Sequence, residues 1–171
     1  MELEYVILVD ENDQEIGKME KQEAHEKALL HRAFSVFVFN EKNELLLQQR
    51  ALTKYHSAGL WTNTCCSHPR VGETTEQAAH RRLMEEMGFD CDLTFRSKFL
   101  YKAAFDNGLT EHEFDYIFVG KFNGEISFNL TEVKNIKWID LEELEFDLLQ
   151  NNQNYTAWFK IIFENFQKSL Y

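Results

Sequence analysis

Apolar positions recur with period two in some stretches and at steps of three and four in others, and the switches between them outline a mixed α/β chain. Tyr5-Val6-Ile7-Leu8-Val9 is a short apolar strand that Asp10-Glu11-Asn12-Asp13 turns. Glu20 to Leu30 is rich in helix formers and free of turn signals, which predicts a helix. His31 to Phe39 predicts a strand with Ala33, Ser35, Phe37 and Phe39 on one face and Phe34, Val36 and Val38 on the other. Asn40 to Glu44 closes a hairpin onto Leu45 to Arg50, and Ala51 to Gly59 reads as loop. Thr74 and Gln77 form a capping box opening a helix to about Met87, with Gly88 just past its end. Phe95 to Phe105 and Phe114 to Phe122 carry the aromatic and β-branched residues of strands, Asn123-Gly124 turns the chain, and Ile136 to Ile139 is a further short strand. Asp140 with Glu143 caps a helix to about Leu149. The last helix is marked by Tyr155, Trp158, Phe159, Ile162, Phe163 and Phe166.

No linker, repeat or low-complexity segment interrupts the pattern, and the length of 171 residues suits one domain with a real core. A hydrophobic fraction of 44%, with 15 Phe, 6 Tyr and 3 Trp, predicts a folded globule. The net charge of −11 argues against general binding of nucleic acid, whose phosphates favour cationic partners. It leaves room for a small anion held by a local cluster of Lys and Arg. The 3 Cys, two of them adjacent, make no disulfide framework, so a reducing, cytoplasmic setting is expected. Met-Glu-Leu-Glu-Tyr has no basic stretch followed by an apolar one, so no signal peptide is expected, and no apolar run approaches the roughly 20 residues of a membrane span.

Chemistry concentrates in Thr62-Asn63-Thr64-Cys65-Cys66-Ser67-His68-Pro69, where a thiol precedes an imidazole by two residues around the single proline. Upstream stand His25 and His31; downstream stand Glu85 and Glu86 on the predicted helix and the Glu111-His112-Glu113 triplet. If the cysteine segment is extended, Cys65 points away from Cys66 and is the inert one. Strand alternation puts Glu111 and Glu113 on one face, turns His112 away, and puts Phe114 and Tyr116 opposite. His56 and His80 lack such company and read as surface residues.

From Ser67 through Glu73 to Arg81-Arg82-Leu83-Met84-Glu85-Glu86-Met87-Gly88-Phe89, the spacing resembles the Nudix box, in which a loop–helix–loop offers carboxylates to a divalent metal and a diphosphate. Ser67 replaces the box's leading glycine and Arg82 one of its glutamates. An arginine there suits direct gripping of a diphosphate. Read by itself, the same helix is equally an amphipathic one with a solvated acidic face. The dispersed motifs are similar, over nearly the whole chain, to the type I isopentenyl diphosphate isomerase family, a Nudix branch. That resemblance implies a single Nudix-like domain over residues 1–171, its mixed β-sheet sandwiched by α-helices. It implies conversion of isopentenyl to dimethylallyl diphosphate, a small-molecule substrate, in a monomer or weak homodimer.

The residues carry over one by one. Cys66 and Glu113 match the two proton-handling groups, and Tyr101 a tyrosine that hydrogen-bonds the glutamate. His25, His31, His68, Glu111 and Glu113 match a metal site, whose mixed ligands suit Mn²⁺, Zn²⁺ or Mg²⁺. Glu86 matches a second, diphosphate-bridging Mg²⁺ site. Lys21, Arg50, Lys54 and Arg82 form the implied diphosphate clamp, and Trp158 and Trp61 wall the hydrocarbon pocket. Two other readings remain open: a Nudix-type diphosphate hydrolase, and a non-catalytic metal- or nucleotide-binding module.

Overall fold

The structure is a computed structural model that describes residues 3–105 and 107–170, so the first two residues and the last of the expected 1–171 domain lie outside it. Its centre is β3 (His31–Phe39), which pairs along its full length with β8 (Thr110–Lys121), parallel to it. β7 (Leu93–Ala104) pairs antiparallel with β8, while β1 (Tyr5–Val9) meets β3 at Leu8↔His31 and β2 (Glu15–Glu20) along its other edge. β4 (Leu45–Arg50) pairs with β3 at the single Phe39↔Leu45 position beside the hairpin. Beyond it the two strands diverge, and β5 (Trp61–Thr62) takes the edge of β4 while β6 (Cys65–Ser67) takes that of β3. β9 (Val133–Ile139) completes the mixed sheet against β4.

The alternation expected in β3 sorts the core into two layers. Phe37 and Phe39 pack with Leu45, Leu47, Ile117 and the apolar stripe of the C-terminal helix. Phe34, Val36 and Val38 pack with Leu46, Phe118 and the Ala78, Ala79, Leu83, Met87 face of the Nudix-box helix. That helix, Thr75–Met87, is α2, and the C-terminal one, Ala157–Leu170, is α4. The sheet is therefore covered on both faces, as expected. Phe37 is fully buried and stacks on Phe166 with ring centroids 4.5 Å apart, and each such side chain contributes about 1.5–3 kcal/mol of burial. Thr74 and Gln77 form the reciprocal capping box on α2, and Gly88 closes it with φ +73°. Asp140 caps α3 (Leu141–Gln150) by accepting from the backbone of Glu142 and Glu143.

The predicted helix from Glu20 to Leu30 is present but shorter than expected. Its first residue ends β2, and the helix α1 is only Lys21–Glu26. Glu20 caps it through its carboxylate, and Ala28 takes φ +53°, which ends it. The break has a consequence for chemistry. Six residues of unbroken helix would separate His25 from His31 by about 9 Å along the axis, whereas their ring centroids lie 4.8 Å apart. β8 also begins earlier than expected, at Thr110, and so takes in Glu111 and Glu113. β9 begins earlier too, at Val133.

Candidate active site

Sheet register brings the distant residues together. On one rung Tyr101 of β7 faces Glu113 of β8, which faces His31 of β3. Four residues along β3, Ser35 pairs with Cys66 of β6, and His68 follows that strand directly. β6 is held by fully buried polar side chains. Thr64 Oγ1 accepts from Val38 N at 2.9 Å and donates to Leu46 O at 2.6 Å, and so ties the diverging β3 and β4. Asn63 Nδ2 donates to Val36 O at 3.2 Å and to Cys65 O at 2.8 Å. These contacts fix the alternation of the pair: Cys65 lies in the core under α2, and Cys66 packs toward the α4 layer.

His25, His31, His68 and Glu113 each present a ligand atom, and these atoms lie within 4.8 Å of one another. His68 Nε2 is 2.9 Å from Glu113 Oε1 and 3.3 Å from His31 Nε2. His25 Nδ1 contacts Lys21 O at 2.6 Å and His31 Nδ1 contacts Leu29 O at 2.8 Å. A carbonyl only accepts, so both Nδ1 atoms carry the hydrogen and both Nε2 lone pairs are left for a ligand. Burial lowers His68 to about 4 and, with the proximity of His31, lowers His25. His25 and His68 are thus neutral and able to ligate. This donor set fits a divalent metal ion. Glu111 lies in the same cavity but outside that group.

Tyr101 Oη is 2.8 Å from Glu111 Oε2 and 2.5 Å from Glu113 Oε2. A phenol has one hydrogen to donate, so both contacts are satisfied only when one carboxyl carries a proton. Burial and the Glu113 charge hold Glu111 well above the usual carboxylate range. Burial also raises Glu113, but the close His31 and His68 rings outweigh that and bring it well below the range. The protonated partner is therefore Glu111. Burial pushes the Cys66 thiol up to about 12, against the pull of Arg50.

Lys21, Arg50, Lys54, Arg82, Glu86 and Trp158 line the same cavity as Cys66 and Glu113. Arg50 lies over the Trp158 ring, 5.1 Å from its centroid. Glu86 is buried, ion-paired with Arg82 and hydrogen-bonded by Gln48 Nε2 at 2.8 Å, and it is not part of the histidine group. Trp61 does not line the cavity. In the short strand β5 the buried inward position belongs to Thr62, which leaves Trp61 at the layer's edge under Lys137, 4.6 Å away. Among the described residues the buried side-chain polar atoms without a partner are Arg50 Nε, Arg82 Nε, Asp115 Oδ2 and Trp158 Nε1. Three of these residues line the cavity, the pattern of a site shaped for a polar ligand.

Some site residues escaped the sequence. His56, read there as a surface residue, lines the cavity, stacks on Phe105 at 5.5 Å and meets Trp158 edge-on. Burial and Arg50 bring it down to about 3. Nothing in the surrounding loop sequence signals this. His80 is on the surface as expected, bonded to Asp90 at 2.6 Å. Asp115, buried beneath the site with Ser35 as its partner at 3.3 Å, continues the Glu111–Glu113 face by simple alternation. His112 turns away, its Nδ1 on Ala28 O at 2.9 Å.

The NUDIX domain matches residues 29–159 of the chain. The protein named isopentenyl-diphosphate Delta-isomerase 2 of Photorhabdus laumondii is 55% identical over 159 residues, covering 93% of this chain and 90% of that protein. The isopentenyl-diphosphate Delta-isomerase of Serratia proteamaculans is 49% identical over 162 residues, 95% of this chain and 90% of its own. A crystal structure from Deinococcus radiodurans superimposes with a TM-score of 0.72 at 19% identity, over 86% of this chain and 90% of that one, which shows the fold. A MutT protein of Methanosarcina mazei gives a TM-score of 0.65 at 19% identity, over 81% and 94%. With its Nudix fold, its histidine–glutamate cluster and its cysteine strand all in place, this chain belongs to the isopentenyl-diphosphate Delta-isomerase family of NUDIX domain proteins.

Proposed function

We propose that the protein interconverts isopentenyl and dimethylallyl diphosphate by moving one proton onto the substrate and another off it. One observation carries the reading: a thiol, Cys66, and a carboxyl wired to a phenol, Glu113 with Tyr101, face a cavity that also holds four cations. A proton adds to the terminal alkene carbon, and a second leaves the adjacent methylene. Two groups that can each give or take a proton are needed, and in the reverse reaction they exchange roles. The charge that builds between the two transfers is tertiary, and water would capture it. Trp158 closes the apolar side and offers a π face, worth up to about 2 kcal/mol to a desolvated cation.

Lys21, Arg50, Lys54 and Arg82 grip the diphosphate, for which the unpaired Nε–H groups of Arg50 and Arg82 supply ready donors. We assign a Mn²⁺, Zn²⁺ or Mg²⁺ ion to His25, His31, His68 and Glu113, and a Mg²⁺ ion to Glu86 together with diphosphate oxygens. Bound there, the metals supply positive charge that orients Glu113 and neutralises the diphosphate. Arg82 already engages Glu86, which speaks against a hydrolase needing a free row of helical carboxylates. Proton NMR of the metal-loaded, reduced protein with isopentenyl diphosphate in deuterated water tests the reading. Deuterium in a methyl group of the dimethylallyl product is expected, and Cys66→Ala is expected to abolish it while still binding pyrophosphate. Full turnover by that variant would refute the role of Cys66, and phosphate release without isomerisation would establish a hydrolase instead.

A further inference from the structure

The two cations at the outer end of the cavity come from elements with no direct reason to stay in register. Lys54 sits on the loop after β4, beside the exposed Leu52, and Arg82 sits on α2. Both are cations, so by themselves they would repel. The turn at Asn129–Val133 lies between them and is stitched to both sides. Asn129 N donates to Glu86 O of α2 at 2.8 Å, and Ala51 N donates to Glu132 O at 3.0 Å. Within the turn, Glu132 N and Val133 N both return to Asn129 O, at 3.0 and 2.8 Å. From this braced backbone the Glu132 carboxylate reaches both cations: one oxygen, Oε2, is ion-paired with Lys54 and lies 3.3 Å from Arg82 Nη2.

We infer that Glu132 is a positioning residue that holds Lys54 and Arg82 at the spacing a diphosphate requires. The inference rests on the diphosphate reading above and adds to it a residue from outside the cavity. A carboxylate so close to the clamp could instead compete with the substrate, and the placement decides between these roles. Lys54 and Arg82 line both the inner cavity and an outer groove, whereas Glu132 lines only the groove. It therefore grips the cations from behind. Lys54 has three N–H donors and gives one to this pair. Arg82 keeps its buried Nε–H unpaired. The bridge thus leaves donors for a ligand while cancelling the repulsion between their carriers. Burial opposes the ionised form of Glu132, but the bond from Lys54 outweighs it and holds the carboxyl below its ordinary value, so the bridge is charged at neutral pH.

The test is calorimetric titration of Mg²⁺-pyrophosphate into the full chain and into Glu132→Gln, Glu132→Asp, Lys54→Ala, Arg82→Ala and Glu132→Gln/Lys54→Ala, with steady-state kinetics on isopentenyl diphosphate. Glu132→Gln keeps the shape and removes the charge. It is expected to weaken pyrophosphate binding several-fold and to raise KM by a similar factor with kcat nearly unchanged. Glu132→Asp keeps the charge and is expected to fall between. The double variant is expected to bind no more weakly than Lys54→Ala alone, because the two changes disable one arrangement. Glu132→Gln binding as tightly as the parent, or more tightly, would overturn the inference, as would losses that simply add. If Glu132→Gln does not fold, Glu132→Asp decides by the same comparison. If Lys54→Ala and Arg82→Ala themselves bind pyrophosphate like the parent, the diphosphate site itself is misassigned.

Discussion

Gly88 and Gly72 both have positive φ, +73° and +83°, yet their surroundings differ completely. A Cβ at Gly72 meets nothing within 4 Å, whereas at Gly88 it falls 2.1 Å from Ser127 O and 2.8 Å from Ser127 C. Alanine at either position carries the left-handed penalty of about 1–2 kcal/mol. At Gly88 it must also push back the backbone that leads into the turn at Asn129–Val133. That segment is pinned by the Asn129 N to Glu86 O bond at 2.8 Å, and such overpacking adds about 1–3 kcal/mol. Gly88→Ala should therefore be the worse variant by about 2 kcal/mol, or about 4–8 °C in Tm for a chain of this size. Thermal unfolding followed by circular dichroism, both variants beside the parent, measures the difference. Equal melting temperatures for the two would refute the close-approach reasoning, and an unchanged Gly72→Ala would refute the conformational part.

Other expectations follow from the same geometry. Tyr101→Phe removes the hydroxyl shared by Glu111 and Glu113 and should lower kcat by about a hundred-fold or more with an unchanged far-ultraviolet spectrum; near-parent turnover would count against the relay. Adding Mn²⁺ to chelator-treated protein should raise its Tm, by about 2.7 kcal/mol of linkage at a hundred-fold excess over Kd, and His31→Ala should remove most of that rise. Asp13 is bonded by Arg32 Nε at 2.9 Å and Lys98 Nζ at 2.8 Å, and losing such charged bonds in Asp13→Asn should cost about 2–3 kcal/mol at neutral pH. Burial raises the Asp13 carboxyl, but bonds from Lys98, Tyr116 and Arg32 outweigh this and lower it. Its contribution is therefore present above the unfolded value of about 4 and is lost as pH falls through the folded one. Denaturant titrations of Asp13→Asn and the parent should differ at pH 7 and converge as the pH falls below the unfolded value of about 4.

Much of the site was legible one strand or one helix at a time. Alternation in β3 and β8 sorted Phe37 from Val36 and aligned Glu111 with Glu113, because a pleated strand presents successive side chains to opposite faces. The same rule reached Asp115, yet a buried carboxylate below the reactive pair carries no motif to draw the eye. Trp61 was misplaced because a two-residue strand is too short for its pattern to tell the inward side from the outward. His56 was missed because its loop has no period from which a direction can be read. The helix expected from Glu20 to Leu30 was cut to Lys21–Glu26, because β2 takes Glu20 at one end and the left-handed Ala28, at φ +53°, breaks it at the other.

By itself, the sequence determined the alternating faces, the capped Nudix-box helix, the family, and the residue types that metal, diphosphate and proton transfer require. These are local properties, set by dihedral preference, side-chain period and functional-group chemistry. Only the tertiary structure decided that Tyr101, Glu113 and His31 share one rung, that β6 wedges Cys66 beside Ser35, and that Glu132 stands behind Lys54 and Arg82. Those are matters of register and of close approach between segments far apart in the chain. They are settled by which of many apolar faces bury together, a choice no short window of sequence contains.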